Sequence, residues 1–288
     1  MSLQSTTATG TRWPTLFVSH GSPMFAVEPG TAGPLLNRLG QVLARDCGAP
    51  RAVLVVSPHW MTPGLRVGTS AQPQTIHDFG GFPAQLYTLQ YPAPGAPDIA
   101  QAVIALLQAQ GLAAQPDSQR GLDHGAWVPL MHLYPEADVP VLQVSLPQRM
   151  DAAQAWALGQ ALAPLRDQGV LVVGSGSLTH NLYEVFSGQA EDTAYAQGFV
   201  DWIRAALAEG DSTRLAAALE LAPQAARAHP TSEHFLPLLV AAGAAAGDCV
   251  AALPGGMELG VLSMESYVFG LPATEAAFHH LRPQPEPA

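Results

Sequence analysis

Short apolar runs rich in Val and Leu alternate along this chain with longer stretches rich in Ala, Leu and Gln. A run that is apolar at every position fits a strand buried on both faces, as in a parallel sheet covered by helices. The pattern predicts an α/β fold, a single layered domain with a mostly parallel central sheet flanked by helices. The predicted strands are Leu16–Ser19, Ala52–Ser57, Val139–Leu146, Gly169–Gly174 and Gly260–Phe269. The predicted helices are Gly33–Cys47, Pro97–Gln110, Ala152–Gln168, Thr193–Glu209, Ser212–Leu221 and Ser232–Ala246.

Three segments do not follow this alternation. Residues 1–14 are polar and lack the apolar core of a signal peptide, so we expect a flexible N-terminal tail, and residues 276–288 form a similar C-terminal tail. The folded domain then covers residues 15–275. Inside it, residues 61–96 are rich in Gly, Pro and aromatic side chains, which indicates a lid or binding loop. Two short strands are predicted within this segment, Leu65–Thr69 and Gln85–Tyr91.

Charge and cysteine content exclude several classes of partner. A net charge of -11 disfavours nucleic acid and anionic membrane surfaces. No segment has the length of an uncharged membrane span. Cys47 and Cys249 lie far apart and form no C-x-x-C motif, which is typical of reduced thiols in a cytoplasmic protein. We therefore expect a cytoplasmic protein that binds neither nucleic acid nor a membrane, and the sequence indicates no particular oligomeric state.

Three histidines stand where predicted strands end: His20 in FVSHGSPM, His59 in VLVVSPHW and His180 in LVVGSGSLTH. Ligands bind beyond the carboxyl ends of the strands in open parallel sheets, so these side chains can meet at one site. Pro58 has no N–H and is expected to end its strand and turn His59 outward. Catalytic metal sites use few protein ligands and leave positions open, which such a set allows. Each histidine alone fits a hydrogen-bonded loop residue equally well.

Two further histidines have a different local context. His124, in GLDHGAW, is expected in a loop before the next strand, and His234 in the first turn of the helix that starts at Ser232. The helix dipole at that position favours the neutral imidazole that a metal needs. Glu233 lies about 100° away around the helix, so we expect His234 to be the ligand and Glu233 an outer partner or a solvent-facing group.

Other residues are expected near the same site. Gly174 and Gly176 would let the backbone approach a ligand closely beside Ser177. His77, in the segment IHDFGGFP, is expected to contact the substrate, and its neighbour Asp78 to orient a ring or cap a turn. His229 is close enough in sequence to His234 to line the site as well. The alternative for each of these residues is a purely structural role.

Six segments in order resemble one enzyme family: FVSHGSPM, VVSPHW, HDFGGFPAQLYTLQYPAPG, GLDHGAWVPL, GSGSLTHNL and HPTSEHFLPLLVAAGAA. They are similar to the DOPA 4,5-dioxygenase-like branch of the class III extradiol ring-cleavage dioxygenases, in the protocatechuate 4,5-dioxygenase β-subunit superfamily. The resemblance runs from about Leu16 to Phe269. It implies a non-haem Fe(II) enzyme that inserts O₂ into the ring of a small catechol, DOPA-like or other, next to the two hydroxyls. The expected product is a ring-opened semialdehyde.

The resemblance also implies roles for individual histidines. His20, His59 and His234 match metal ligands, although the superfamily usually has a carboxylate at the third position. His180 matches either a fourth, weaker ligand or the acid–base residue. His124 matches a substrate-binding or proton-transfer residue. An all-histidine set also suits Zn(II), which would bind a catechol without cleaving it because zinc has no redox chemistry.

Two other functions could use the same cluster. One is a zinc-dependent hydrolase with a zinc-bound hydroxide as nucleophile, for which Glu233 is the evident carboxylate base. The other is a non-catalytic metal-binding member of the family, which the complete set of five histidines disfavours. If the substrate carries a carboxylate, its candidate partners are Arg120 and Arg149.

Overall fold

The computed structural model describes residues 12–187 and 193–271. Its strands are β1 Thr15–Ser19, β2 Ala52–Thr62, β3 Arg66–Gly68, β4 Gln115–Asp117, β5 Val141–Pro147, β6 Val170–Gly176, β7 Val250–Leu253, β8 Met257–Glu258, β9 Leu262–Ser263 and β10 Ser266–Phe269. Eight of them form one sheet in the order β4-β3-β5-β2-β6-β1-β10-β7, and β8 and β9 pair separately. The four central strands β5, β2, β6 and β1 are parallel, whereas β3, β10 and β7 add antiparallel pairings. The predicted α/β fold class is confirmed.

Helices cover both faces of this sheet. They are α1 Ala32–Asp46, α2 Pro97–Ala109, α3 His124–Leu133, α4 Ala152–Leu162, α5 Leu182–Ser187, α6 Ala194–Ala208, α7 Ser212–Ala216, α8 Ala218–Leu221, α9 Ala225–Ala228 and α10 Leu236–Ala244. Short 3₁₀ helices lie at Pro23–Ala26, Ala84–Thr88 and Ala163–Gln168. Within the described residues, no helix combines the length and the apolar character needed to cross a membrane.

The central strands are buried on both faces, which explains their continuous apolar sequences. In β2, Val53 and Val55 belong to the core that α1 and α3 cover. Leu54 and Val56 belong to the opposite core, which α2, α4, α6 and α10 cover. Successive side chains of a strand point to opposite faces, so a strand between two helical layers needs an apolar residue at every position.

Strand β2 does not end at Pro58 as predicted. It continues to Thr62, and its pairing with β5 shifts register between Val56 and Met61. A bulge of this kind accommodates a residue that has no N–H to donate to the neighbouring strand. His59 lies in this irregular stretch, which is how β2 presents it at the carboxyl edge of the sheet.

Other predicted boundaries were wrong where a proline or a turn intervenes. The helix predicted to reach Gln168 ends at Leu162 and continues as a 3₁₀ helix with Pro164 in its first turn. The helix predicted over 212–221 divides into α7 and α8, and the strand predicted over 260–269 divides into β9 and β10. The strand predicted at 85–91 is instead the 3₁₀ helix that follows Pro83, whereas the strand predicted at 65–69 is confirmed as β3.

The N-terminal boundary also differs from the prediction. Trp13, assigned to the tail, is buried, and its backbone N–H donates to the carbonyl of Arg166 at 3.1 Å. The folded domain therefore includes Trp13. The rest of the predicted N-terminal tail, up to residue 11, and the whole predicted C-terminal tail lie outside the described residues.

Candidate metal centre and substrate pocket

Five histidines converge at the carboxyl edge of the central strands. They are His20 directly after β1, His59 in β2, His124 at the start of α3, His180 after β6 and His234 just before α10. All five border one cavity of about 780 Å³. The cluster therefore joins side chains from five separate elements, at the sheet edge where parallel α/β folds bind ligands.

The spacing of the rings fits one metal ion. The Nε2 atoms of His20 and His59 lie 3.1 Å apart. Two imidazole nitrogens that bind one ion at 2.0–2.1 Å lie about 3.0–3.4 Å from each other. One potential ligand atom from each of His20, His59 and His124 falls within 4.8 Å of the others, and the same holds for His180, Glu233 and His234.

The two ring nitrogens of His234 also fit a metal ligand. Its Nδ1 lies 3.1 Å from Glu233 Oε1, whereas its buried Nε2 has no hydrogen-bond partner in the described part of the chain. A histidine that binds a metal through one nitrogen usually bonds a carboxylate or carbonyl through the other, which fixes the ring and its tautomer. Glu233 therefore occupies the position of an outer partner, and His234 Nε2 is available for a metal.

His234 does not lie in the first helical turn as predicted. It lies within a turn closed by the bond from the Phe235 N–H to the Ser232 carbonyl, and α10 begins at Leu236 with Pro237 in its first turn. Proline favours that position because the N–H it lacks would be unpaired there. Burial, more than the helix dipole, keeps the ring neutral, because it lowers the pKa of His234 to about 3 although the bond to Glu233 opposes this.

Burial acts in the same direction on the neighbouring rings. It lowers the pKa of His20 well below its usual range, and the nearby His59 and His234 rings add to this effect. Burial, with the His124 ring, lowers the pKa of His59 to about 4, and burial also lowers the pKa of His180. The three rings are therefore neutral near pH 7, which is the form that binds a metal.

Asp78 joins the predicted lid segment to the cluster. Its Oδ1 accepts a hydrogen bond from the backbone N–H of His124 at 2.9 Å. The same oxygen lies 3.0 Å from Nδ1 of the His124 ring, but the geometry is not that of a hydrogen bond, so this second contact is electrostatic. Its Oδ2 lies 3.6 Å from His59 Nδ1. Burial alone would raise the pKa of Asp78, but the contacts with His124 outweigh it and hold the pKa at about 2. A carboxylate therefore backs both rings.

His124 begins helix α3 rather than lying in a loop as predicted. Asp123 caps this helix by accepting a hydrogen bond from the Ala126 N–H at 3.2 Å. Pro129 lies inside the helix, and a proline at an interior position argues against a helix in a prediction from sequence. Arg120 bonds Asp123 Oδ2 at 2.6 Å and the His59 carbonyl at 3.0 Å. Arg120 thus fixes His124 and His59 relative to each other.

His180 and Ser177 both border the cavity, as predicted for site residues. The ring of His180 stacks on that of His234, with centroids 3.5 Å apart and planes 8° from parallel. The Ser177 hydroxyl donates to the carbonyl of Thr179 at 2.7 Å, so its oxygen is left to accept hydrogen bonds from other partners. These two residues shape the side of the cavity that adjoins His234.

His77 and His229 do not border the cavity. One ring nitrogen of His77 lies 3.0 Å from the carbonyl oxygen of Leu89, and one of His229 lies 2.8 Å from that of Leu178. Each ring holds loop backbone in place instead of facing a ligand. The residues that line the cavity therefore include neither of these two histidines, for which substrate contacts were predicted.

The cavity wall away from the histidines is mainly apolar. Its apolar side chains include Met24, Phe25, Phe79, Phe82, Phe186 and Leu262. Phe79 and Phe82 come from the segment 61–96. Two carboxylates, Glu28 and Glu258, are its acidic members, and neither was singled out from the sequence. A mainly apolar cavity with a cluster of histidines on its wall suits an aromatic ring whose hydroxyls face that cluster.

Replacing Glu233 tests its role behind His234. We expect Glu233→Ala to weaken metal binding by about 10–100-fold, because the His234 ring loses the partner that orients it. Competition with a chromophoric chelator measures the affinity. Glu136→Ala, which removes an exposed glutamate that does not line the cavity, is the matched control. Equal affinity in both variants would show that Glu233 only faces solvent.

Known proteins share both the sequence and the fold. Residues 14–278 match the family described as the catalytic LigB subunit of aromatic ring-opening dioxygenase. The chain is 41% identical over 259 residues to a protein of Beta vulgaris named 4,5-DOPA dioxygenase extradiol, which covers 88% of this chain and 96% of that one. A protein of the same name from Escherichia coli K12 is 39% identical over 264 residues, with 90% and 96% covered.

A solved structure agrees with these matches. The crystal structure of an uncharacterized protein from Escherichia coli K12 superimposes with a TM-score of 0.70 at 32% identity and covers 90% of this chain and 100% of that one. The family match spans nearly the whole domain, and the histidine cluster lies within it. The chain therefore belongs to the LigB family of aromatic ring-opening dioxygenases and is an oxidoreductase.

Proposed function

We propose that this protein is an Fe(II)-dependent dioxygenase that inserts O₂ into the ring of a small catechol next to its two hydroxyls and yields a ring-opened semialdehyde. The observation that carries the proposal is the cluster of five histidines on the wall of a mainly apolar cavity, with the Nε2 atoms of His20 and His59 3.1 Å apart. Relatives named for DOPA make DOPA-like catechols the first substrates to test.

His20, His59 and His234 would hold the metal. The Nδ1 atom of each ring, which would point away from the metal, has a polar neighbour. His20 Nδ1 bonds the Ser175 hydroxyl, and His234 Nδ1 bonds Glu233. His59 Nδ1 lies 3.6 Å from Asp78, beyond hydrogen-bond distance. Imidazole nitrogens suit Fe(II) as well as Zn(II), and Fe(II) oxygenases leave coordination positions open, although their ligand set usually includes a carboxylate that this set of three histidines lacks. Bound iron would supply the site for both catechol oxygens and the electronic link between the ring and O₂.

His124 is suited to move the substrate proton. A catechol hydroxyl must lose its proton to bind as an anion, and histidine is the side chain suited to accept it near neutral pH. The His124 ring lies 3.9 Å from that of His59, centroid to centroid, and its Nδ1 faces Asp78. The carboxylate would stabilise the imidazolium that forms when the ring accepts a proton.

His180 lies on the opposite side of the cluster, against His234. We assign it as a fourth, weaker ligand or as a second acid–base residue. Metal affinity separates the two roles, because His180→Ala would weaken binding in the first case and leave it unchanged in the second. Turnover is expected to fall in both.

Anaerobic reconstitution with Fe(II) followed by a catechol panel tests the proposed function. We expect oxygen uptake and a yellow ring-opened product with the iron form, and binding of the same catechols without turnover with the Zn(II) form. Lack of turnover of every catechol by protein that holds a full complement of iron would overturn the proposal. Ester or amide hydrolysis by the zinc form would instead support the hydrolase alternative.

A further inference from the structure

The cavity that holds the histidine cluster has an unbalanced charge. The chain contains no lysine, and none of the arginines in residues 12–187 and 193–271 borders the cavity. Arg120 bonds Asp123, and Arg149 lies at a different cavity beside Pro147. Arg282 falls outside the described residues. The two arginines that were candidate partners for a substrate carboxylate thus lie elsewhere, and the charged side chains of the described cavity wall are the carboxylates of Glu28 and Glu258.

Glu258 is held at the cavity wall by its backbone. It lies in the two-stranded β8–β9 ribbon, where it pairs with Leu262. Its Oε2 would lie 3.2 Å from a methyl group placed on Gly21, so the carboxylate is next to the residue that follows His20. The Glu258 carboxylate therefore lies on the cavity wall beside the turn at Gly21.

The Glu258 side chain is half-buried and has no hydrogen-bond or ion-pair partner among the described residues. Burial, with the nearby carboxylate of Glu28, raises its pKa. An ionised carboxylate in such a place is costly unless a cation or donor meets it. Glu258 and the histidine cluster line the same cavity, so a catechol held at the cluster shares that cavity with this carboxylate.

We propose that Glu258, supported by Glu28, makes this cavity select catechols whose side chain carries a protonated amine over catechols whose side chain carries only a carboxylate. The inference rests on the proposed function, because it assumes that the catechol hydroxyls occupy the histidine end. An ammonium group beside Glu258 forms a charge-assisted hydrogen bond, whereas a carboxylate there meets two like charges and no cation. For an amino acid such as DOPA, the amine is the group that Glu258 recognises.

Three catechols that differ mainly in side-chain charge test this selectivity: dopamine, neutral 4-ethylcatechol and anionic 3,4-dihydroxyphenylacetate. Titration calorimetry on the Zn(II)-loaded protein measures binding without turnover, and kcat/KM on the iron form measures cleavage. We expect dopamine to bind about tenfold more tightly than 4-ethylcatechol, and the anion to bind most weakly. In Glu258→Gln, the dopamine-to-ethylcatechol ratio of affinities is expected to fall about tenfold, and the penalty on the anion to shrink.

Glu220→Gln removes an exposed glutamate on α8, outside the cavity, and is the matched control for the change in net charge. It is expected to keep the wild-type ratio of affinities. Equal affinities for the three catechols, or the same ratio in wild type and Glu258→Gln, would overturn the amine selectivity while leaving the dioxygenase function in place. Failure of metal-loaded protein to bind any of the three would overturn both.

Discussion

His20→Ala is expected to remove most of the metal affinity of the protein and to reduce ring cleavage by more than about 100-fold, since losing a ligand exceeds the 10–100-fold effect of losing an outer partner. His20 is the most buried member of the cluster, and its Nε2 faces that of His59 at 3.1 Å. The Nδ1 of His20 bonds the Ser175 hydroxyl at 3.0 Å, so Nε2 is the ring nitrogen that is left to bind a metal.

Metal content after dialysis and chelator competition measure the loss of affinity, and oxygen uptake measures the loss of activity. His132→Gln is the matched control, because His132 is a half-buried histidine whose Nε2 contacts the Phe25 carbonyl rather than the cluster. It is expected to bind one equivalent of metal like the wild type. Urea denaturation of both variants separates ligand loss from unfolding. Unchanged metal affinity in folded His20→Ala would remove His20 from the metal site.

The central sheet could be predicted because its residues carry a local signal. Val53 to Val56 are all apolar since both faces of β2 are covered, and this pattern is visible in the sequence. The convergence of His20, His59 and His180 could be predicted for a related reason. Each follows or interrupts a parallel strand, and the carboxyl ends of such strands meet at one edge of the sheet.

Features that depend on distant partners could not be predicted. Asp78 lies next to His77 in sequence, but the rings it contacts belong to His59 and His124, and that pairing exists only in three dimensions. The sequence did not predict helix α3, because Pro129 lies at an interior position where proline disfavours a helix, although Asp123 is a typical N-cap residue. The carboxylate of Glu258 reaches the cavity from the far end of the chain.

The two glycines of β6 were correctly predicted to allow a close approach, but the group that approaches them was predicted wrongly. Gly174 and Gly176 were expected to make room for a ligand. They make room for protein backbone instead, because a methyl group on Gly174 would lie 2.0 Å from the Pro237 carbonyl oxygen, and one on Gly176 would lie 2.2 Å from that of His234. The missing side chains let the start of α10 and the turn before it rest directly on the strand.

Gly176 therefore couples the stability of the fold to the position of a predicted ligand. The His234 carbonyl that crowds Gly176 also accepts the Ser177 N–H at 3.0 Å. This bond ties the turn before α10 to the end of β6. A side chain at position 176 would push the His234 backbone outward and break this bond. The carbonyl oxygen and carbon of His234 that it would meet are backbone atoms, which cannot rotate away as a side chain can.

We expect Gly176→Ala to lower the free energy of unfolding by about 2–3 kcal/mol, the cost of overpacking a tight core, and to weaken metal binding in the molecules that remain folded. Urea denaturation and chelator competition measure the two effects. Gly198→Ala is the matched control, because Gly198 lies inside α6 with open space around it. There the same change is expected to stabilise the protein by about 0.5–1 kcal/mol. Equal stability of the two variants would show that the turn before α10 yields freely, and that β6 does not hold His234 in place.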